Sequence, residues 1–184
     1  MAQVNMPGLP VRDRAAVYID GFNLYFGIRG SGLGRYLWLD LHAFSKDLLK
    51  DGQDLVSIKY FTARVSRPET KRQRQNAYLD ALGTLDNKLF SIAYGNYQQN
   101  QSTCQRCGLP SDVPNEKQTD VNIAVAMLTD AFLDRFDVAL LVSADSDLCP
   151  VVSSILALPR KKRVVVMFPP GRASKELKIG RAHV

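Results

Sequence analysis

Apolar residues gather in short blocks along this chain, and polar or glycine-rich stretches separate the blocks. Val138–Val142 is five consecutive apolar residues, too few for a lone helix and rich in branched side chains. Such a run without alternation predicts a strand covered on both faces, as in a parallel sheet flanked by helices. Ala15–Ile19 and Val164–Phe168 read the same way, the first ending at Asp20 and the second at Pro169-Pro170-Gly171. Leu55–Val65 alternates, with Val56, Ile58 and Tyr60 against Ser57 and Lys59, and Leu89–Tyr94 is a further strand. Helical spacing appears between these blocks. Asp40 is a plausible N-cap for a helix through Leu49. Pro68 and Glu69 open a helix from about Thr70 to Leu85, with Tyr78, Leu82 and Leu85 on one face. Thr119 to about Asp134 carries Val121, Val125, Leu128 and Phe132 on one stripe, and Leu148 leads into a helix ending near Leu158. Strands and helices alternate, which predicts an α/β sandwich built on a parallel sheet.

The remaining stretches are punctuation. Residues 1–14 read as a flexible leader, Gly21–Tyr25 as a turn into a short helix, and Gly27–Gly34 as a glycine-rich loop. Residues 96–116, polar and containing Cys104, Cys107 and two prolines, read as an insertion. Lys178–Val184 resembles the translation of a sequencing-adapter oligonucleotide running into a stop codon. No functional role is expected of it, His183 included; an ordinary basic tail is the alternative.

With 184 residues and 46% hydrophobic composition, the chain has material for one domain with a real core. The formal net charge of +6 favours a polyanionic partner such as nucleic acid. No apolar run is long enough to span a bilayer, no signal peptide is evident, and three cysteines make no disulfide framework. These features point to a soluble cytoplasmic protein.

The candidate chemistry lies in four acids. Asp20 closes the first apolar block, Asp145 and Asp147 follow Val138–Val142, and Asp120 sits in the first turn of a helix. If the two strands are neighbours, their carboxyl ends gather these side chains at the edge where open α/β sheets bind ligands. Clustered carboxylates stay ionised only with a cation between them, and hard oxygen donors without cysteine or histidine select Mg²⁺ or Mn²⁺. Each acid also has an ordinary explanation as a cap, a dipole partner or a turn residue. Only the joint pattern carries weight.

Three segments then resemble the signature motifs of NYN domains, in the PIN-like nuclease superfamily, whose bacterial members include a LabA-like group. They are Val17-Tyr18-Ile19-Asp20-Gly21-Phe22-Asn23, Glu116-Lys117-Gln118-Thr119-Asp120-Val121 and Val142-Ser143-Ala144-Asp145-Ser146-Asp147-Leu148. The resemblance spans about residues 15–178. It implies a Rossmann-like three-layer sandwich around a mostly parallel five-stranded sheet, and a metal-dependent ribonuclease activity. By matching positions it implies Asp20, Asp120, Asp145 and Asp147 as catalytic metal ligands and Asn23 as a polar catalytic-site residue. Ser143 is a smaller contributor to substrate binding. Ala144 stands where many relatives carry glycine.

Basic residues supply candidate phosphate contacts. Arg64, Arg67, Lys71, Arg72 and Arg74 crowd eleven residues after the second strand, and Arg172, Ser174 and Lys175 follow the last one. Arg160–Arg163 precedes that strand and reads as a solvated turn on the opposite edge. Phe22, Tyr25 and Trp38 are candidates for stacking on bases, with core packing the safer expectation for Trp38. Cys104-x-x-Cys107 supplies half of a zinc site; a second pair could come only from a partner in a homodimer, so zinc is not expected in the monomer. The expected function is hydrolysis of single-stranded RNA by an endoribonuclease. The alternatives are a non-catalytic RNA-binding or regulatory module and, last, an aspartyl phosphatase. That phosphatase chemistry usually wants a second acid where Phe22 stands.

Overall fold

Val138–Val142 forms strand β5, and all five of its residues are buried. In this computed structural model, which describes residues 11–85, 88–103 and 110–179, β5 lies between β1 (Asp13–Asp20) and β6 (Arg163–Met167), parallel to both. On the other side of β1 come β2 (Gln53–Ala63) and β3 (Phe90–Thr103), also parallel. A sixth strand, β4 (Pro110–Lys117), runs antiparallel to the far end of β3, giving the order β4-β3-β2-β1-β5-β6. The expected five-stranded parallel sheet is therefore present, with one antiparallel strand added at its edge.

Successive residues of the central strands feed opposite layers, as the pleat requires. Tyr18, Ala139 and Leu141 pack with Ile123 and Met127 of α4 (Thr119–Phe132) and Val152 and Ile155 of α5 (Cys149–Leu156). Val17, Ile19, Leu140 and Val142 pack with Leu24 and Ile28 of α1 (Gly21–Gly30), Leu41 of α2 (Leu41–Asp47), and Leu79 and Leu82 of α3 (Glu69–Leu82). A short helix, α6 (Lys175–Ile179), sends Leu177 into the first cluster. The result is the three-layer α/β sandwich.

Several expectations need correction. Helix α1 runs through the stretch expected as a loop, to Gly30. Gly27 serves close packing: a Cβ there would stand 2.7 Å from Pro169 Cβ and 2.9 Å from the Pro170 carbonyl. Residues 96–103 and 110–117 form a hairpin paired from Asn96↔Lys117 to Thr103↔Pro110. Its polar composition hides the strand period. Trp38 is 59% exposed and touches Tyr78 edge-on, so it is no core residue. The α4 stripe of Val121, Val125, Leu128 and Phe132 faces solvent, while Ile123, Met127 and Ala131 face the sheet. Lys162 is buried, donating to the Asp134 carboxylate and the Phe136 carbonyl, so the basic turn at 160–163 is not wholly solvated. Residues 1–10, Cys104, Cys107 and residues 180–184 lie outside the described residues.

Candidate active site

The register of β1 against β5 builds the site. Ile19 pairs with Val142, so the next residues, Asp20 and Ser143, emerge side by side at the carboxyl edge of the sheet. Asp20 caps α1, its Oδ1 accepting from the Asn23 amide at 2.9 Å, while its Oδ2 accepts from the Ser143 hydroxyl at 2.9 Å. Ser143 Oγ in turn accepts from the Asp145 amide at 3.1 Å, and Asp145 Oδ1 accepts from the Asp147 amide at 3.0 Å, capping the 3₁₀ turn Ser146–Leu148. Asn23 Oδ1 accepts from the Ala144 amide and from Arg172 Nη1, both at 3.3 Å. Two strand ends and the loop after β6 are thus laced together by side chains from all three motif regions but one. Gly21 makes the turn possible, because a Cβ there would stand 2.6 Å from the Tyr60 ring and 2.7 Å from the Phe61 carbonyl.

The third motif arrives from the other layer. A single residue, Gln118 in the left-handed region (φ 78°), joins β4 to α4 and delivers Thr119 and Asp120 in the first turn of that helix. Asp120 feels the other acids. Burial, then the charges of Asp145, Asp20 and Asp147, push its carboxyl up to about 6. Burial likewise pushes Asp20 up, opposed by the Asn23 amide and the Ser143 hydroxyl, with the charge of Asp145 adding to the rise. The structure therefore brings all four expected acids to one edge.

Asp20 is 3% exposed, and among the described residues no lysine or arginine forms an ion pair with any of the four. Their donors are all hard oxygens. Beside Asp120, the buried Thr119 hydroxyl has no hydrogen-bond partner. This excess of uncompensated oxygen suits a hard divalent cation. Among the described residues no group of three or more Asp, Glu, His or Cys side chains is placed so as to hold a metal ion.

Around the acids lie aromatic and basic groups. On α1, Phe22 and Phe26 stack with ring centroids 6.2 Å apart and Tyr25 meets Phe26 edge-on at 5.2 Å. Tyr25 and Phe26 are 37% and 47% exposed, and the Arg172 guanidinium lies 5.9 Å from the Phe26 centroid. Arg172 thus touches both Asn23 and the aromatic group. Arg64 lies over the Tyr94 ring, and the Tyr94 carbonyl accepts from Asn122 in the first turn of α4, which places Arg64 on the Asp120 side. Lys71, Arg72 and Arg74 sit on the exposed first turns of α3; Arg72 pairs with Glu69 and Arg74 donates to the Thr70 carbonyl. No contact joins these three to the acids. Ser174 is buried, its hydroxyl engaged with the Leu177 amide and Glu176, and Lys175 beside it is exposed. Thr119 and Phe26 escaped the sequence reading. The signals were adjacency to Asp120 and the four-residue spacing from Phe22.

A structure of a Vibrio parahaemolyticus protein of unknown function resembles this one with a TM-score of 0.59 and 22% identity, over 95% of this chain and 93% of that one; the likeness shows the fold. A 6-hydroxy-3-succinoylpyridine 3-monooxygenase of Pseudomonas putida is 30% identical over 181 residues, covering 80% of this chain. The chain spans 56% of the length of that curated relative. The family model of the NYN domain matches residues 14–180, nearly the whole chain. The three motifs, the parallel sheet and this match agree, and the chain belongs to the NYN domain family.

Proposed function

We propose that the chain is a metal-dependent ribonuclease hydrolysing phosphodiester bonds of single-stranded RNA in the cytoplasm. One observation carries the reading: four carboxylates from β1, α4 and the turn after β5 share one sheet edge with no cation paired to them, and burial together with the charges of the other three pushes Asp120 up to about 6. In this reading Asp20, Asp120, Asp145 and Asp147 hold Mg²⁺ or Mn²⁺. Such an ion, when bound, neutralises charge developing on the phosphate and favours ionised water at neutral pH. The chain's own residues do the rest. Asn23 and Ser143 fix the carboxylates through hydrogen bonds. Arg172 and Arg64 flank the acids and contact phosphates, with Lys71, Arg72, Arg74 and Lys175 extending the positive rim.

The test is cleavage of structured and unstructured RNA with Mn²⁺, Mg²⁺ or EDTA. Cleavage is expected with either ion, none with EDTA, and at least a ~100-fold loss in Asp145→Asn. Cleavage that persists in EDTA or in that variant rejects the reading. RNA binding without cleavage under every condition would establish the non-catalytic module instead. A second reading rests on the Pseudomonas relative, whose name describes hydroxylation of a succinoylpyridine. That reaction takes dioxygen and a reductant. Turnover of 6-hydroxy-3-succinoylpyridine with reduced nicotinamide, absent any RNA cleavage, would favour it.

A further inference from the structure

Helix α1 starts at Asp20 and carries two different faces. Leu24 and Ile28 turn inward to the sheet, and Gly27 packs on the loop after β6. Phe22, Tyr25, Phe26 and Arg29 recur at spacings of three, one and three and make the other face, where Tyr25, Phe26 and Arg29 are exposed. The core side is already filled by aliphatic residues, so these rings serve no packing against the sheet. Cations attend them: Arg29 Nη1 donates to the Tyr25 hydroxyl at 3.4 Å, and the Arg172 guanidinium stands 5.9 Å from the Phe26 centroid. The stretch Gly21–Leu39 holds five aromatic residues and no aspartate or glutamate. Rings meet protein surfaces and nucleobases alike, but rings with arginines and no acid match a strand that carries flat bases on a phosphate backbone.

The opposite flank of the acids is built differently. The sheet order sets β1 and β5, whose ends bear Asp20, Asp145 and Asp147, between β6 and β2. Arg172 follows β6 on one side and Arg64 follows β2 on the other. Past Arg64, the exposed Arg67, Lys71 and Arg74 form no ion pair among the described residues. The exposed ring beside Arg64, Tyr94, already carries that guanidinium 4.8 Å from its centroid. One flank therefore offers rings, and the other offers charge.

Resting on the ribonuclease reading of the acid edge, we propose that the outer face of α1 is a stacking track for unpaired nucleotides on one side of the cleaved bond. The α3 flank holds backbone phosphates on the other side. From Phe22 to Arg29 the helix rises about 10 Å, room for about three bases at the ~3.4 Å spacing of a stacked strand. A duplex hides its base faces in its own stack, whereas its phosphates remain in reach. The track therefore demands unpaired bases, and the charged flank accepts paired and unpaired strands alike. The substrate class this selects is an RNA whose single-stranded segment abuts a duplex, with one fixed polarity of the unpaired side.

Fluorescence anisotropy of the full chain in EDTA tests the track with a blunt RNA hairpin and the same hairpin bearing a short unpaired tail on its 5′ or its 3′ strand. One tail is expected to raise affinity at least about tenfold over the blunt hairpin, and the other by much less. Tyr25→Ala with Phe26→Ala is expected to remove most of that gain and leave blunt-hairpin binding unchanged, with unaltered circular dichroism. Arg29→Glu, at an exposed position, is expected to cut the gain severalfold. Lys71→Ala with Arg74→Ala is expected to weaken all three RNAs alike and to flatten their salt dependence. Two tails that act equally, or no tail effect, overturn the proposal. A tail effect that survives both α1 variants overturns it too, and makes the stripe a face for a protein partner. EDTA keeps cleavage out of the measurement. A chain that prefers one tail yet never cleaves RNA loses the nuclease reading alone, and one that cleaves but ignores the tails loses the track alone.

Discussion

The Ser143 hydroxyl, buried at the end of β5, donates to Asp20 Oδ2 at 2.9 Å across the strand boundary. The same oxygen accepts from the Asp145 amide, so one hydroxyl fixes both the carboxylate on β1 and the turn that bears Asp145 and Asp147. Ser143→Ala leaves Asp20 buried with one donor fewer and the Asp145 amide without its acceptor. A stability loss of about 1–3 kcal/mol is expected by urea denaturation. Because the bond orients a proposed ligand, Mn²⁺ affinity by titration calorimetry is expected to fall roughly 10–100-fold. An unchanged affinity in a folded variant would separate Ser143 from the site.

Asp120 carries a cost that function would explain. Its carboxyl titrates near 6 in the folded chain against an ordinary 3.8, so the fold binds its proton more tightly than the unfolded chain does. The destabilisation is therefore absent below pH 3.8, grows as pH rises, and is complete above about 6. Asp120→Asn removes it. In EDTA at pH 7.5 to 8 the variant is expected to melt a few degrees higher, about 2–4 °C for each kcal/mol relieved, and the gain should vanish near pH 4. RNA cleavage should be lost in the same variant. A melting temperature that falls at pH 8 would mean that the carboxylate is structurally satisfied.

The stacked rings of α1 offer a second handle. Phe26 is partly exposed, leans on Phe22 and has the Arg172 guanidinium near its face, while Arg172 also bonds Asn23. A base next to the cleaved phosphate would find a ring and a cation together there. Phe26→Ala is expected to weaken binding of single-stranded RNA by about 1–3 kcal/mol, read by fluorescence anisotropy in EDTA, while leaving duplex binding nearly unchanged. Equal losses for both substrates would assign Phe26 to packing alone.

These features were unequally legible in the sequence. Val138–Val142 and Ala15–Ile19 announced central strands because residues buried on both faces must be apolar throughout, and the acids at their ends followed from that. Helix α4 misled. Its most regular apolar stripe faces outward, whereas the face against the sheet includes the polar Thr119 and Asp130, the latter buried on partners from distant segments, Tyr18 and Lys59. Periodicity finds an apolar face but cannot say whether the sheet or another molecule covers it. Gly27 failed for a related reason: the glycine answers to Pro169 and Pro170, some 140 residues away, and no local rule sees that contact. The β3–β4 hairpin was hidden because polar strands carry no alternation.

The opposite edge of the sheet should govern acid stability. Asp137, just before β5, accepts from the Arg14 backbone amide at 2.8 Å, from Arg14 Nε at 3.0 Å and from Nη2 at 2.9 Å, tying β1 to β5 at their amino ends. The Arg14 hydrogen bonds, opposed by partial burial and aided by the Arg14 and Lys162 charges, hold the Asp137 carboxyl down at about 2. A depressed carboxylate stabilises the fold above its unfolded value of 3.8, and that stabilisation disappears as pH falls through about 2. The Asp137 side chain is 35% exposed, so solvent screening reduces the contribution to about 1 kcal/mol. Asp137→Asn is therefore expected to lose about that much by urea denaturation at pH 7. The curves of wild type and variant should converge between pH 4 and 2. Curves that stay parallel through that window would show that the Arg14 contacts with Asp137 are independent of its charge.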